Sequence, residues 1–542
     1  MTSAEVGAVE ARLARIDAEF DPSLAITSEA FREFRALIRA SRGRLDPRTR
    51  FALGWLYWYQ HQALPRFMRR RYRKAAVRTL TPCFIADVTP LPAPLLPSLA
   101  HAAIGPAQAS IERVASGDDA AELATHLELW RRIVAAAGEQ SPFRGGMLSN
   151  LAALLVIRFE RTGSLADLDE AVDAGRRAIA ATSARSKVLA NYHGNLGVAL
   201  MRRFQHQGAA APSPDIDQAI VLLDRAYDGM RLRDPRRADA LSNLGTALVI
   251  RFERRWDEAD LDQGIARLRR AVAVCHPRHP KRAEFRSNYG MALIRRFLLT
   301  GSQDDLERAL TVFDGITAGQ APAHSRASVQ INLATAMMAR YVQSGELARL
   351  DGGIEVLRAA ALGLADGHPD QPVILANLAN ALLLRFDSGG ALDDVDGAIA
   401  AVRHALDLTP ADHPDRAVQL ANLCIYRQSR FERSLDRTDL DQAVAAGGES
   451  VAATPAGHPG TALRLNNLGG ALLQRFRQAG RPGDLAQAID AFQRALAALP
   501  AGHPDRPGLL ANLGPALVAR SERTSPATRT VTPPTHRGAA CC

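Results

Sequence analysis

A repeated segment constrains the fold of this chain more than any other feature. Each copy contains an asparagine followed by an apolar residue and, eight residues on, an arginine, as in NLGGALLQR from Asn467. The asparagine occurs at positions 150, 195, 243, 288, 332, 377, 422, 467 and 512, so the copies are 45, 48, 45, 44, 45, 45, 45 and 45 residues apart. A fixed period of this length indicates stacked supersecondary units, none of which buries its apolar face alone.

Each repeat contains two helical patterns. In the first, Leu468, Leu472 and Phe476 recur at steps of four, which places them on one stripe of a helix. Gly469 beside that stripe allows a neighbouring helix to approach closely. The second pattern starts near Asp484, ends at Pro500 and contains the apolar residues Leu485, Ala488, Ile489, Phe492, Ala495 and Leu496. The sequence therefore predicts an all-α fold, a right-handed α-solenoid (superhelix) of stacked antiparallel helix pairs.

At these residues the sequence resembles the tetratricopeptide repeat (TPR). The order of conserved small and apolar residues in that family is matched by Leu468, Gly469, Ala488, Phe492, Ala495 and Pro500. The interval from Leu468 to Ala488 is longer than usual, which makes the unit similar to the long repeats of kinesin light chains. The residue pattern of the unit is also similar to that of repeat arrays in actinobacterial proteins with a caspase-like CHAT domain, although no CHAT domain is present here. The resemblance implies a scaffold that binds a protein or peptide.

The predicted organisation has three parts. Residues 147–520 form the TPR array, with eight complete units and a truncated ninth. Residues 1–146 form a degenerate helical, TPR-like N-terminal region, because Leu53, Gly54, Leu56 and Tyr57 repeat the pattern of the first helix. Residues 521–542 are rich in Thr, Pro and Arg and are predicted to be a disordered tail. This ending suggests that the chain is truncated before an effector domain.

The repeated asparagine is the first candidate for binding. In kinesin-light-chain-type arrays the equivalent asparagine grips the main chain of a peptide in the concave groove, and an amide both donates and accepts as a peptide does. The alternative is a hydrogen bond within the scaffold, and the sequence leaves both readings open. We call this set the asparagine column: Asn150, Asn195, Asn243, Asn288, Asn332, Asn377, Asn422, Asn467 and Asn512.

The repeated arginine is the second candidate. A row of guanidinium groups is suited to acidic side chains of a partner. The sequence favours a structural role instead, because the arginine lies near a helix C-terminus and acids such as Asp167, Asp260 and Asp439 open the next helix. The arginine column contains Arg158, Arg203, Arg251, Arg296, Arg340, Arg385, Arg430, Arg475 and Arg520.

Basic charge is concentrated near the N-terminus. The chain has a formal net charge of +10, and residues 1–78 hold 16 basic and 8 acidic residues, a balance of +8. A cluster there indicates either a nucleic-acid or acidic-membrane surface or, as the favoured reading, a solvated helix face. This basic cluster consists of Arg66, Arg69, Arg70, Arg71, Arg73 and Lys74.

No motif of catalysis, cofactor binding or metal binding accompanies the repeats. The sequence lacks a phosphate-binding GxxxxGK[ST] loop, HExxH and GxSxG. Each loop histidine stands without a cysteine or carboxylate at ligand spacing, so we expect turn residues rather than metal ligands; they are His279, His368, His413, His458 and His503. Five scattered cysteines and an acidic N-terminus without an apolar segment predict a cytoplasmic protein with no membrane span.

The function predicted from the sequence is therefore that of a protein–protein interaction scaffold, not an enzyme, with a partner protein or peptide in the concave groove. Two alternatives remain. One is a regulatory or sensor arm of a CHAT peptidase system, truncated before its catalytic domain. The other is a nucleic-acid-associated regulator that binds through the basic cluster.

Overall fold

The structure is a computed structural model that describes residues 2–41, 45–117, 119–206, 214–316, 323–364, 370–411, 413–455, 458, 460–503 and 505–524. These residues form α-helices and two short 3-10 helices, Pro22–Ile26 and Ala93–Leu95, and contain no strand. The helices divide into two compact bodies, and the boundary lies between Ala336 and Met337. We call them the N-terminal body and the C-terminal body.

The N-terminal body begins with seven helices that precede the regular repeats, followed by four helix pairs and the start of α16. The early helices are α1 (Thr2–Glu19), α2 (Ser28–Ala40), α3 (Pro47–Ala63), α4 (Arg66–Ile85), α5 (Leu96–Ala109), α6 (Ile111–Ser116) and α7 (Ala120–Ala137). The pairs are α8 (Arg144–Thr162) with α9 (Leu165–Ala180), α10 (Leu189–His206) with α11 (Asp215–Asp228), α12 (Arg237–Arg255) with α13 (Glu258–Val274), and α14 (Arg282–Thr300) with α15 (Gln303–Asp314). The boundary between the bodies falls within α16 (Ala323–Ser344).

The C-terminal body continues the same pattern. It contains the end of α16, α17 (Leu347–Leu362), the pairs α18 (Gln371–Asp387) with α19 (Leu392–Leu408), α20 (Pro414–Ser434) with α21 (Arg437–Ala452), and α22 (Thr461–Ala479) with α23 (Pro482–Ala497), and finally α24 (Arg506–Thr524). Within this body each second helix also packs on the first helix of the next repeat, and successive first helices touch, as α18 touches α20 and α20 touches α22. The predicted all-α architecture of stacked antiparallel helix pairs is confirmed.

In several repeats a glycine of the first helix allows the two helices of a pair to pack closely. A Cβ atom on Gly469 would lie 2.7 Å from Cε1 of Phe492, a side chain that is buried in α23. The same contact joins Gly290 to Phe313 in the N-terminal body, where a Cβ atom would lie 2.5 Å from the ring. Only a residue without a Cβ atom allows this approach, because packed interiors leave no spare volume. The close approach predicted for Gly469 is therefore present.

The degenerate N-terminal region contains the same pairing. A Cβ atom on Gly54 in α3 would lie 2.3 Å from Cγ of Leu80 in α4, so α3 and α4 pack as a first and a second helix do. Leu80 is fully buried, as are Leu53 and Leu56 of α3. The α3–α4 contact therefore resembles that of a regular pair, and the assignment of residues 1–146 as a TPR-like region stays a prediction.

Several predicted boundaries differ from those observed. The array begins at Arg144 rather than at 147, and α24 continues through residues 521–524 of the predicted tail, whereas residues 525–542 lie outside the described residues. Asp484 is the third residue of α23 rather than its cap, because the helix already starts at Pro482. Among the described helices, none is both long enough and apolar enough to cross a membrane.

Candidate peptide-binding face of the repeats

The accessible stripe of each first helix contains the asparagine column. In the C-terminal body one face of each first helix carries partly or fully exposed residues at the asparagine and at four before, three after and seven after it. None of these residues is charged in α18, α20, α22 or α24. They are Val373, Asn377, Asn380 and Leu384; Val418, Asn422, Ile425 and Ser429; Leu463, Asn467, Gly470 and Gln474; and Gly508, Asn512, Pro515 and Ala519.

This stripe of the C-terminal body combines apolar and amide groups. Val373 is 38%, Val418 45% and Leu463 60% exposed, and they occupy the same position in three successive repeats. In the N-terminal body the corresponding positions include the charged residues Arg202 and Asp239. The two bodies therefore present faces of different chemistry, and the neutral face suits a peptide main chain with apolar side chains.

The asparagine column is tied to the scaffold in the N-terminal body. Nδ2 of Asn195 donates to Oγ of Ser149 at 2.9 Å, and Nδ2 of Asn332 donates to Oγ of Ser287 at 2.7 Å. Asn288 reaches Oγ of Ser242 at 3.4 Å. In each case the acceptor immediately precedes the asparagine of the previous repeat, so the bond joins neighbouring first helices.

The bond is formed only where the previous repeat supplies a polar side chain. Asn512 donates to Oδ1 of Asn466 at 2.8 Å. Asn377, Asn422 and Asn467 follow repeats with Ile331, Ala376 and Ala421 at the acceptor position, and none of them makes a side-chain bond to another repeat within the described part of the chain.

The amides of these three residues are therefore not used to join neighbouring repeats. Asn377 donates only to the Val373 carbonyl of its own helix, at 2.8 Å. The buried Nδ2 atom of Asn467 has no acceptor, and the side chain of Asn422 forms no hydrogen bond within the described residues. A buried donor without a partner is costly. The asparagine column is therefore divided between a structural part and a part that remains a candidate for binding.

One substitution tests the cross-repeat bond directly. For Asn243 the acceptor position of the previous repeat is occupied by Gly194, which has no side chain. A Cβ atom added to Gly194 would meet only Cβ of Ala226, at an ordinary contact distance of 3.7 Å. We expect Gly194→Ser to raise the free energy of unfolding by about 1 kcal/mol, because the hydroxyl accepts from Asn243 and serine favours a helix more than glycine does. Urea denaturation followed by circular dichroism measures the change. Gly194→Ala isolates the helix contribution, and equal stability of the two variants would exclude the bond.

The arginine column forms ion pairs within the scaffold. Arg296 is representative: Nε and Nη2 donate to both oxygens of Asp305 at 2.7 and 2.6 Å, and Nη1 donates to Asp262 of the previous repeat at 2.7 Å. Asp305 is buried near the start of α15, where the helix dipole favours an anion. The hydrogen bond from Arg296 lowers the pKa of Asp305 below its ordinary value.

The same geometry repeats in both bodies. The pairs within one repeat are Arg158–Asp167, Arg203–Asp215, Arg251–Asp260, Arg296–Asp305, Arg385–Asp394, Arg430–Asp439 and Arg475–Asp484. The pairs to the previous repeat are Arg203–Asp169, Arg251–Asp217, Arg296–Asp262, Arg385–Asp351, Arg430–Asp396 and Arg475–Asp441. These contacts give seven of the nine arginines the structural role that the sequence favoured, and peptide binding by this column stays a prediction.

The second aspartate of each pair was missed at the sequence level. It lies two residues after the first, as in Asp167-Leu-Asp169 and Asp260-Leu-Asp262, and this Asp-x-Asp spacing was the available signal. The spacing becomes meaningful only when the register between one repeat and the next is known, since the pair joins residues 34 positions apart.

Four of the five loop histidines accept a backbone amide in the turn before a first helix, and one of them, His413, is the N-cap of α20. Nδ1 of His413 accepts the amide of Asp415 at 3.2 Å, and His279, His458 and His503 accept the amide two residues on in the same way. His368 lies outside the described residues. The described residues contain no cluster of three or more metal-ligating side chains.

The basic cluster lies on α4, apart from the repeats. All six of its residues are exposed, and none forms an ion pair within the described part of the chain. Arg69 donates to the carbonyl of Leu64 at 2.9 Å, and Arg73 donates to Oγ of Ser98 on α5 at 2.8 Å. The cluster is thus chemically unlike the arginine column.

Comparison with known proteins yields structural neighbours only. No protein-family profile matches the chain, and no curated protein sequence matches it. A human IFIT1 dimer with PPP-AAAA aligns with TM-score 0.49 and 12% identity over 89% of this chain and 93% of that chain. A Podosopora anserina putative kinesin light chain with nearly identical TPR-like repeats aligns with TM-score 0.29 and 18% identity over 40% and 99%. A tetratricopeptide repeat protein from Parabacteroides merdae aligns with TM-score 0.35 and 13% identity over 56% of this chain and 93% of that chain.

The assignment of the fold rests on the chain's own repeats. Each described pair joins a first helix to a second helix, and in four regular pairs a glycine of the first helix closely approaches the second, as Gly290 approaches Phe313. Neighbouring pairs then stack through their first helices. These features give the chain the architecture of a tetratricopeptide-type helical repeat.

Proposed function

We propose that the chain is a protein-binding scaffold that holds an extended peptide segment of a partner on the neutral stripe of the C-terminal body. The observation that carries this proposal is the set of amides without a cross-repeat partner, Asn377, Asn422 and Asn467, on three successive first helices. An asparagine amide is able to donate to a carbonyl and accept from an amide of a peptide main chain. The buried Nδ2 atom of Asn467 donates to a peptide only after its side chain reorients.

The neighbouring side chains support the same occupant. Val373, Val418 and Leu463 are exposed beside these amides, and apolar side chains of a peptide gain free energy by covering them. The arginine column adds no net positive charge, because its guanidinium groups are already paired with aspartates. A neutral, amide-bearing stripe favours main-chain recognition over recognition of acidic side chains.

The test compares two triple variants of the full chain. Random 12-residue displayed peptides are selected on the unmodified protein, and the enriched peptides are measured by fluorescence anisotropy. We expect Asn377→Ala, Asn422→Ala and Asn467→Ala together to weaken binding about 100-fold, at about 1 kcal/mol for each lost hydrogen bond. Their helix content by circular dichroism should stay unchanged, because no bond to another repeat is removed.

The control is Asn195→Ala, Asn288→Ala and Asn332→Ala. These substitutions remove three cross-repeat hydrogen bonds, so they should lower the free energy of unfolding and leave the affinity for the selected peptides intact. Unchanged affinity in the first triple variant would contradict the proposal, as would an equal loss of affinity in both.

A further inference from the structure

A groove lies between α4 and α5 in the N-terminal body, away from the repeat stripe. It encloses about 950 Å³, within the size range of ligand sites. Its floor contains the apolar residues Val77, Pro82, Ile85, Ala102 and Pro106. Its rim carries Arg70, Arg73, Lys74 and Arg78.

The rim is positively charged and lies in a stretch of sequence without acidic residues. Between Asp46 and Asp87 the sequence contains no acidic residue, and α5 contains none. Within the described residues none of the four rim residues forms an ion pair, whereas seven arginines of the repeats bind aspartates. Four cations beside a groove attract a ligand that carries carboxylates.

Two prolines add backbone acceptors at the same place. Pro82 lies inside α4 and Pro106 inside α5, and neither has an amide hydrogen. The carbonyls of Arg78 and Ala102 therefore lack the helical donor four residues on, and both residues line the groove. A peptide ligand offers N–H donors to such carbonyls, whereas a phosphate group offers none.

We infer that this groove binds an acidic, amphipathic peptide segment of a partner protein, with aliphatic side chains on the floor and carboxylates at the arginine and lysine rim. The floor favours this occupant over single-stranded nucleic acid, because it is aliphatic and has no aromatic ring on which a base would stack. The site is separate from the asparagine column, so the proposal does not depend on peptide binding there.

The test uses the full chain and a fluorescein-labelled 16-residue peptide with leucines on one helical face and glutamates on the other. We expect saturable binding in about 50 mM salt that weakens as salt rises. A peptide with lysine in place of every glutamate should not bind. Absence of saturable binding by the glutamate peptide up to about 100 µM would overturn the inference.

Two variants separate the rim from the floor. Arg70→Glu, Arg73→Glu and Lys74→Glu together should weaken binding at least about tenfold. Ala102→Trp fills the groove without changing charge and should weaken binding to a similar extent. If Ala102→Trp binds the peptide as tightly as the unmodified chain, the peptide is held by surface charge alone and the groove is not its site.

The chain provides a matched control for charge. Arg32, Arg35 and Arg39 on α2 are also exposed and form no ion pair within the described residues, but they do not line the groove. Their replacement by glutamate makes the same change in net charge. The affinity for the glutamate peptide should stay within about twofold of that of the unmodified chain. Binding of an oligothymidylate of twelve nucleotides is measured in parallel. Binding of this oligonucleotide that is lost in Ala102→Trp, without binding of the glutamate peptide, would assign the groove to nucleic acid and overturn the inference.

Discussion

Arg251→Met is expected to lower the free energy of unfolding of the repeat formed by α12 and α13 by about 3–5 kcal/mol, the usual effect of leaving a buried charge without its partner. Arg251 donates to both oxygens of Asp260 at 2.7 and 2.6 Å, and to Asp217 of the previous repeat at 2.9 Å. Asp260 is only 3% exposed. Removal of the guanidinium leaves that carboxylate buried and unpaired, whereas Asp217 keeps its contact with Arg255.

Hydrogen exchange of the native chain is the appropriate measurement. A repeat array opens locally, so amides of α12 and α13 should exchange about 10²- to 10³-fold faster while distant helices are less affected. The double variant Arg251→Met and Asp260→Leu should recover most of the loss, because no charge remains to be buried. Arg177→Met serves as the control, since its partner Asp173 is 64% exposed and such a pair contributes less than about 1 kcal/mol. Equal effects of Arg251→Met and Arg177→Met would contradict the structural role of the arginine column.

The arginine column also shows what the sequence was able to predict. The period of the column and its place near a helix end could be predicted from the sequence, because both depend on residue spacing along the repeats. The acidic partner within the same repeat could be predicted too, since Asp260 lies nine residues after Arg251. The second acid, Asp217, was not, because it approaches only through the packing of one repeat on the next.

The asparagine column shows the same limit. The eight asparagines that follow another repeat look alike in the sequence, but they divide into two groups according to one residue of that preceding repeat. This residue is a serine for Asn332 and an alanine for Asn467. That pairing depends on the lateral register of adjacent first helices. The groove was not predicted from the sequence either, because a proline such as Pro82 usually ends a helix, whereas α4 continues through Pro82 to Ile85. Helix propensity argues against proline there, and packing of α4 against its neighbours outweighs it.

The second large effect is expected for Gly245→Ala, which should lower the free energy of unfolding by about 2 kcal/mol. In an exposed helix this change would stabilise by about 1 kcal/mol, because alanine favours a helix more than glycine does. At Gly245 a Cβ atom would lie 2.6 Å from Cγ of Leu268 and 2.9 Å from the carbonyl oxygen of Gly264, both in α13. The side chain of Leu268 has little room to move because it is buried, and the carbonyl belongs to the backbone, so α12 and α13 must separate.

Urea denaturation of the full chain, with hydrogen exchange to locate the change, distinguishes this clash from the effect of helix propensity. Gly448→Ala is the matched control, because Gly448 lies within α21 and a Cβ atom there would meet nothing within 4 Å. That variant should be more stable than the unmodified chain by about 0.5–1 kcal/mol. Opposite signs at the two positions would show that Gly245 is required for the close packing of α12 on α13. Stabilisation at both would mean that the pair tolerates a wider spacing, and the glycine of the repeat would then need another explanation.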